Sequence, residues 1–370
     1  MSAAADERGQ VLEAFAKVLR RESHNLRERP ELLWQQMYNR LQWEDDPVPI
    51  LLEPQLRRRS VTGAAAWLRA KTPLRESEAL RLTLTGYTEE VRDCAISPNS
   101  DFIVTPGERG SCRIWDAATG KERTPLAGHT DGVWFRAISP NSDFIVTGGE
   151  GGTCRIWDAA TGKERAALAG HTDDVKTCAI SPNSDFIVTG SADNTCRIWD
   201  AVTGKERATL TGHTDDVLAC AISPNGDFIV TASNDGTCKI WDAATVEERE
   251  TLTCGARLVW ACLISPDGAF IATVSGSGTC EIWDAATGKE RITLRVFGLT
   301  APAISPASDF IVTGSADNTC KIWDAATGEE RATLIGHTDF VADFAISPDG
   351  AFIITASWDS TCKIWDAATG

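Results

Sequence analysis

Three sets of residues have the types that nucleophilic catalysis uses: His171, Ser191 and Asp193; His213, Ser233 and Asp235; and His337, Ser357 and Asp359. A serine oxygen activated by a histidine that a carboxylate orients is the machinery of acyl transfer. Here the sets are near copies of one another, and three copies do not make one catalytic pocket. A second candidate, Ala-Thr-Gly-Lys-Glu-Arg at 118–123, also recurs down the chain. Its Gly-Lys pair lacks the upstream glycine and the following Ser or Thr of a phosphate-binding loop. The twelve cysteines contain no CxxC pair and no clustered histidine, so zinc is not expected. These residues give no catalytic group, no metal site and no cofactor, and the chain is expected not to be an enzyme.

The copies point to the elements that must position them. Trp115, Trp157, Trp199, Trp241, Trp283, Trp323 and Trp365 are each followed by Asp, at intervals of 42, 42, 42, 42, 40 and 42 residues. A fixed period in the forties, with Gly-His before and Trp-Asp after, is the signature of four-stranded propeller blades. Within a repeat the stretch after Gly-His reads as the innermost strand, and a Pro-Asn turn leads to Asp-Phe-Ile-Val-Thr as the second. Thr-Cys-Lys-Ile-Trp reads as the third, and Ala-Ala-Thr-Gly turns into the fourth.

On these motifs the chain resembles the WD-repeat (WD40) β-propeller family over roughly residues 78 to 370. The resemblance implies an all-β fold of seven four-stranded antiparallel blades. It also implies that His, Ser, Asp and Trp form a buried hydrogen-bonded set, complete in the three blades named above and ending on Trp199, Trp241 and Trp365. Other blades depart from it. Blade one has Tyr87 and Arg109, and blade two has His129 with Gly149 and Gly151. Blade five has Gly255 and Ser277, and blade six has no His but keeps Ser315 and Asp317. Those blades are expected to be softer, each lost buried bond being worth on the order of 1 kcal/mol.

Two parts follow: an α-helical segment over 1–76 and a propeller over 77–370. Val11, Leu12, Phe15, Val18, Leu19 and Leu26 share one helical face, and a second helix after Pro30 carries Leu32, Leu33, Met37 and Leu41. The run HNLRERPELLWQQMYNRLQWE resembles the helical linker ahead of propellers in bacterial apoptosome-type (NB-ARC/STAND) proteins; a helical cap or a dimerisation segment is the alternative. The chain stops one strand short of a seventh blade, and residues 79–84 align with the fourth strand of the repeat. That strand is expected to complete blade seven and close the ring, leaving no open edge.

Seven cysteines share one repeat position and four another, so most are too far apart to bridge; two within one blade remain possible neighbours. They read as small buried hydrophobes in a reducing compartment, and the chain as cytoplasmic. The N-terminus lacks the pattern of a secretory signal, and no apolar run is long enough to cross a membrane. Residues 1–77 carry 13 basic and 11 acidic side chains, leaving 23 and 41 for the rest. A propeller of net charge −18 argues against nucleic acid as partner.

Near-identical blades provide an internal control, since positions that scaffold should match in every copy. Two places vary most: the start of the innermost strand and the residue before the turn Asp. Trp358, Phe340, Trp134, Phe135, Trp260, Arg92, Lys176 and Asn234 fall there. The family resemblance puts both places on one rim of the central channel, where partner peptides bind. The expected function is non-enzymatic recognition of a protein or peptide. The alternatives are a sensor fragment of a signalling NTPase whose nucleotide-binding domain is absent here, and an enzyme using the channel.

Overall fold

The structure, a computed structural model, describes residues 84, 94–106, 112–126, 132–255, 258–295, 302–315 and 317–369. Its strands fall in one compact unit, Glu89–Ala117 with Glu122–Gly370. Among the described residues, twenty-seven strands form seven antiparallel sheets, six of four strands and one of three, each in simple sequence order. One 3-10 turn, Glu150–Gly152, is the sole helical element among the described residues. The helices expected within 1–76 lie outside the described residues, as does the closing strand at 79–84 apart from Leu84.

Blade three shows the local rules. Its second strand, Phe186–Ser191, is sandwiched between the first, Val175–Ile180, and the third, Cys196–Asp200, and the fourth is Glu206–Leu210. β-Branched and aromatic residues dominate because each blade packs on a neighbour. The register pairs Phe186 with Asp200, Ile187 with Trp199 and Val188 with Ile198. Alternate residues therefore face opposite neighbours, and both faces of the second strand are apolar.

The turns explain the repeated polar letters. Between the first and second strands, Ser181 Oγ accepts the Phe186 amide at 3.0 Å, and Ser184 takes a left-handed conformation with φ 63°. Between the third and fourth, Asp200 Oδ1 accepts the Thr203 amide and hydroxyl, both at 2.8 Å. Arg207 then donates to Asp200 Oδ2 at 2.7 Å and to the Asp185 carbonyl at 2.9 Å. Gly204 is needed twice over: its φ is 67°, and a Cβ there would come within 2.5 Å of Ala166 in the preceding blade. The Ala-Thr-Gly-Lys-Glu-Arg motif is thus a turn whose side chains hold the Asp of Trp-Asp.

Successive blades are joined by apolar clusters. Val188, Ile198 and Leu210 of blade three pack with Ile229 and Trp241 of blade four, and the same arrangement links each blade to the next as far as seven. Burying each such side chain stabilises the fold by about 1.5–3 kcal/mol. The forward face of blade seven differs. Phe352, Ile354 and Ile364 are 39%, 37% and 72% exposed, whereas their blade-six equivalents Phe310, Val312 and Ile322 are 5%, 0% and 0% exposed.

Candidate partner-binding site

The buried polar set is centred on a threonine that sequence reasoning missed. In blade three Trp199 Nε1 donates to Thr189 Oγ1 at 2.8 Å, and His171 Nε2 meets the same hydroxyl at 2.7 Å. His171 Nδ1 lies 2.8 Å from Asp193 Oδ2, which also accepts the Thr172 amide. Blade four repeats this with Trp241, Thr231, His213 and Asp235, and blade seven with Trp365, Thr355, His337 and Asp359. The serine has another task. Ser191 Oγ donates to the Asp173 carbonyl at 3.0 Å and accepts the Asp193 amide at 3.1 Å, bracing the turn that carries the carboxylate. His171 is thus bonded to Thr189 and Asp193, and no Ser-His relay is assembled.

Burial drives the His171 and His213 imidazoles below their ordinary value, against the pull of Asp193 and Asp235. Burial acts to raise Asp193 and Asp235, but hydrogen bonds from Thr195 and His171, and from the Thr214 amide, Thr237 and His213, outweigh it and bring both to about 2. Neutral histidine beside a carboxylate locks the fold. The Trp-to-Thr bond is present in every blade, including the four that lack the full set: Trp115 to Thr105, Trp157 to Thr147, Trp283 to Thr273 and Trp323 to Thr313.

Blade five is rebuilt where the histidine and the carboxylate are missing. Cys254 and Gly255 stand where blade four has Gly212 and His213. The Cys254 thiol occupies the imidazole's role, 3.5 Å from Thr273 Oγ1. Glu281 replaces the basic residue of the third strand. Buried to 4% exposure, it accepts from the Thr273 hydroxyl at 3.2 Å and the Thr279 hydroxyl at 2.5 Å. Ser275, Ser277 and Thr279 close a chain of hydroxyls in place of the carboxylate. Four coordinated replacements therefore keep the groups around Thr273 paired.

The two variable loops of each blade are brought side by side. The Trp358 amide donates to the Phe340 carbonyl at 3.0 Å, Asn234 to Asp216 at 2.9 Å, Ala192 to Asp174 at 2.9 Å, Gly276 to Leu258 at 2.8 Å and Glu150 to Gly132 at 3.2 Å. In blade seven this stacks Phe340 and Trp358, with ring centroids 5.2 Å apart and planes tilted by 56°. Trp358 is 70% exposed, and Phe340 beneath it is half-buried. Asn234 Nδ2 is tied to Asp215 at 3.1 Å, beside a polar cavity of about 250 Å³ lined by Thr214, Asp215, Asn234 and Asp235. Lys176 pairs with Asp174 at 3.1 Å. Among the described residues of these loops and the strands that follow them, carboxylates outnumber cations, with Asp173, Asp216, Asp339 and Asp343 added to these.

Two expected rim aromatics sit elsewhere. Phe135 packs against the core between blades two and three, its ring filling the space a Cβ on Gly148 would take. Trp260 packs against the cluster between blades five and six. Phe135 is in register opposite Gly148, whereas Trp260 is the residue passed over by the register shift between Val259 and Ala261. Arg92 and the Trp134 side chain lie outside what is described.

The site offers an aromatic platform, fixed backbone and surface carboxylates, and among the described residues no group of His, Cys, Asp and Glu could hold a metal ion. No described helix is long and apolar enough to cross a membrane. Comparison with curated proteins gives no match. The WD40 family, described as WD domain, G-beta repeat, matches seven times, at residues 79–116, 120–158, 162–200, 204–242, 248–284, 293–324 and 328–366, and the chain belongs to that family.

Proposed function

We propose that this chain is a non-enzymatic docking platform that holds a protein or peptide partner on the channel rim, with Trp358 and Phe340 as the anchor. The observation that carries the reading is the 70% exposure of Trp358 on a half-buried Phe340, in a family whose usual role is protein interaction. An indole held by a neighbouring ring and a backbone bond loses little freedom on binding, and such aromatics dominate interface energies. Asp339 and Asp343 beside the pair make a polar rim around an apolar centre. The acidic surface disfavours nucleic acid, and the working compartment is the cytoplasm.

The test is capture of a partner from native lysate by wild-type protein and by the Trp358→Ala/Phe340→Ala double variant. The double variant should lose capture, with affinity for the isolated partner falling at least about 30-fold, or about 2 kcal/mol, and little change in melting temperature. Unchanged capture would remove these rings from the site.

A further inference from the structure

The chain twice sets a cation over a tryptophan and holds it there with a carboxylate. Lys239 Nζ lies 6.0 Å from the centre of the Trp241 ring and 2.9 Å from Glu248 Oε2. Lys321 Nζ lies 5.5 Å from the centre of the Trp323 ring and pairs with Glu330. The face of an indole carries partial negative charge, so the cation is attracted by ring and carboxylate together. On the rim of blade seven the indole and the carboxylates are present without the cation.

Asp339 and Asp343 flank the aromatic pair. The Asp339 carbonyl accepts the Ser357 hydroxyl at 2.9 Å and the Phe340 carbonyl accepts the Trp358 amide at 3.0 Å, so Asp339 and Phe340 lie along Ser357 and Trp358. Asp343 stands in register opposite Ala356, two residues before Trp358. One oxygen of each carboxylate takes a local amide, that of Phe340 at 2.7 Å and that of Phe344 at 2.8 Å, which fixes the side chain. Both residues are exposed, and no cation pairs with either among the described residues. Lys363, packed against Gly336, is the one Lys or Arg in the sequence from 337 to 369. Blade three is built otherwise: Lys176 pairs with Asp174, and Ala192 stands in place of Trp358. Thr177 and Ala219 hold the register position of Asp343 in blades three and four.

We infer that the partner docked here presents an arginine, its guanidinium lying on the exposed face of Trp358 and hydrogen-bonded to Asp339 and Asp343. This rests on the docking reading above and adds the chemistry of the partner's anchor. An apolar side chain would cover the ring but strip water from two carboxylates without replacing it. An acidic one would be repelled. A guanidinium meets both demands, because it is flat, weakly hydrated and carries five N–H donors in a fork that serves two acceptors at once. An ammonium is more strongly hydrated, and Phe340 and Trp358, tilted by 56°, do not enclose it, so lysine binds more weakly.

The test follows the indole N–H signals of the full chain by nuclear magnetic resonance during titration with capped Gly-X-Gly peptides, where X is arginine, lysine or citrulline. Citrulline copies the shape of the guanidinium without its charge. Trp358→Phe identifies the Trp358 signal. The arginine peptide should shift that signal saturably, bind at least about fivefold more tightly than the citrulline peptide, and weaken as salt is added. Asp339→Asn/Asp343→Asn keeps the shape and the amide bonds, and should bring arginine down to the level of citrulline at an unchanged melting temperature. Equal affinity for arginine and citrulline, an arginine preference that survives the double Asn variant, or shifts confined to other indoles would each overturn the inference. Capture by the Trp358→Ala/Phe340→Ala variant tests docking separately, since it involves no arginine probe. Capture lost there, with no arginine preference here, would leave docking standing and remove the arginine alone.

Discussion

The Thr189 hydroxyl takes both the indole of Trp199 and the imidazole of His171, at 2.8 and 2.7 Å, and so joins the third strand of blade three to the loop that begins at Gly-His. A hydroxyl both donates and accepts, so it can serve a Trp N–H and a neutral imidazole together. Thr189→Val keeps the shape of the side chain but leaves both partners buried and unpaired. A loss of about 2–3 kcal/mol is expected, against about 1 kcal/mol or less for Ser191→Ala, whose bonds are to backbone at the loop. Calorimetric melting of the two variants decides this, and equal destabilisation would return the central role to the serine.

Acid should unfold the protein in two stages. His171 and His213 are held neutral, below their ordinary 6.5. The unfolded chain therefore binds more protons just below that value, and this stability is complete above pH 6.5 and lost as pH falls through the depressed folded values. Asp193 and Asp235, lowered to about 2 from 3.8, contribute above pH 3.8 and lose that contribution between there and about pH 2. Melting temperature measured from pH 8 to pH 3 should drop in both windows, and His171→Gln/His213→Gln should flatten the upper one. A melting temperature that rises between pH 7 and pH 5 would contradict the assignment.

The uncovered forward face of blade seven bears on ring closure. Phe352, Ile354 and Ile364 form an exposed apolar face on a three-stranded sheet, a combination prone to association. If residues 79–84 supply the fourth strand, a chain beginning at residue 85 should aggregate at concentrations where one beginning at residue 75 stays monomeric. Light scattering compares them. Equal solubility and equal melting temperatures would show that the strand does not close the ring.

The fold was legible because its signals are redundant. Each Trp-Asp, each Pro-Asn turn and each Phe-Ile-Val-Thr strand appears up to seven times, so a lapse in one blade does not hide the period. The hub of the polar set was not legible. Thr189 reads as one more β-branched strand residue, and nothing in its spacing separates a hydroxyl that accepts a tryptophan from one that merely fits a strand. Phe135 and Trp260 misled for a different reason: they vary between blades, as rim residues should, but lie within the innermost strand and pack against the clusters between blades. Trp358 and Phe340, in the loops beyond the strand ends, are the variable aromatics that the structure brings together at the surface. Blade five shows the opposite limit, where Cys254, Gly255, Ser277 and Glu281 look like four losses when read singly and one replacement when seen together.

Hydrogen–deuterium exchange of the protein with and without its captured partner tests rim recognition most directly. Protection is expected at residues 338–343 and 356–360, with lesser protection at 172–176 and 214–216. The turns between third and fourth strands, such as 158–162 and 200–204, should exchange as in the unbound protein. Protection confined to those turns or to the outermost strands, with 338–343 and 356–360 unchanged, would contradict docking on the rim.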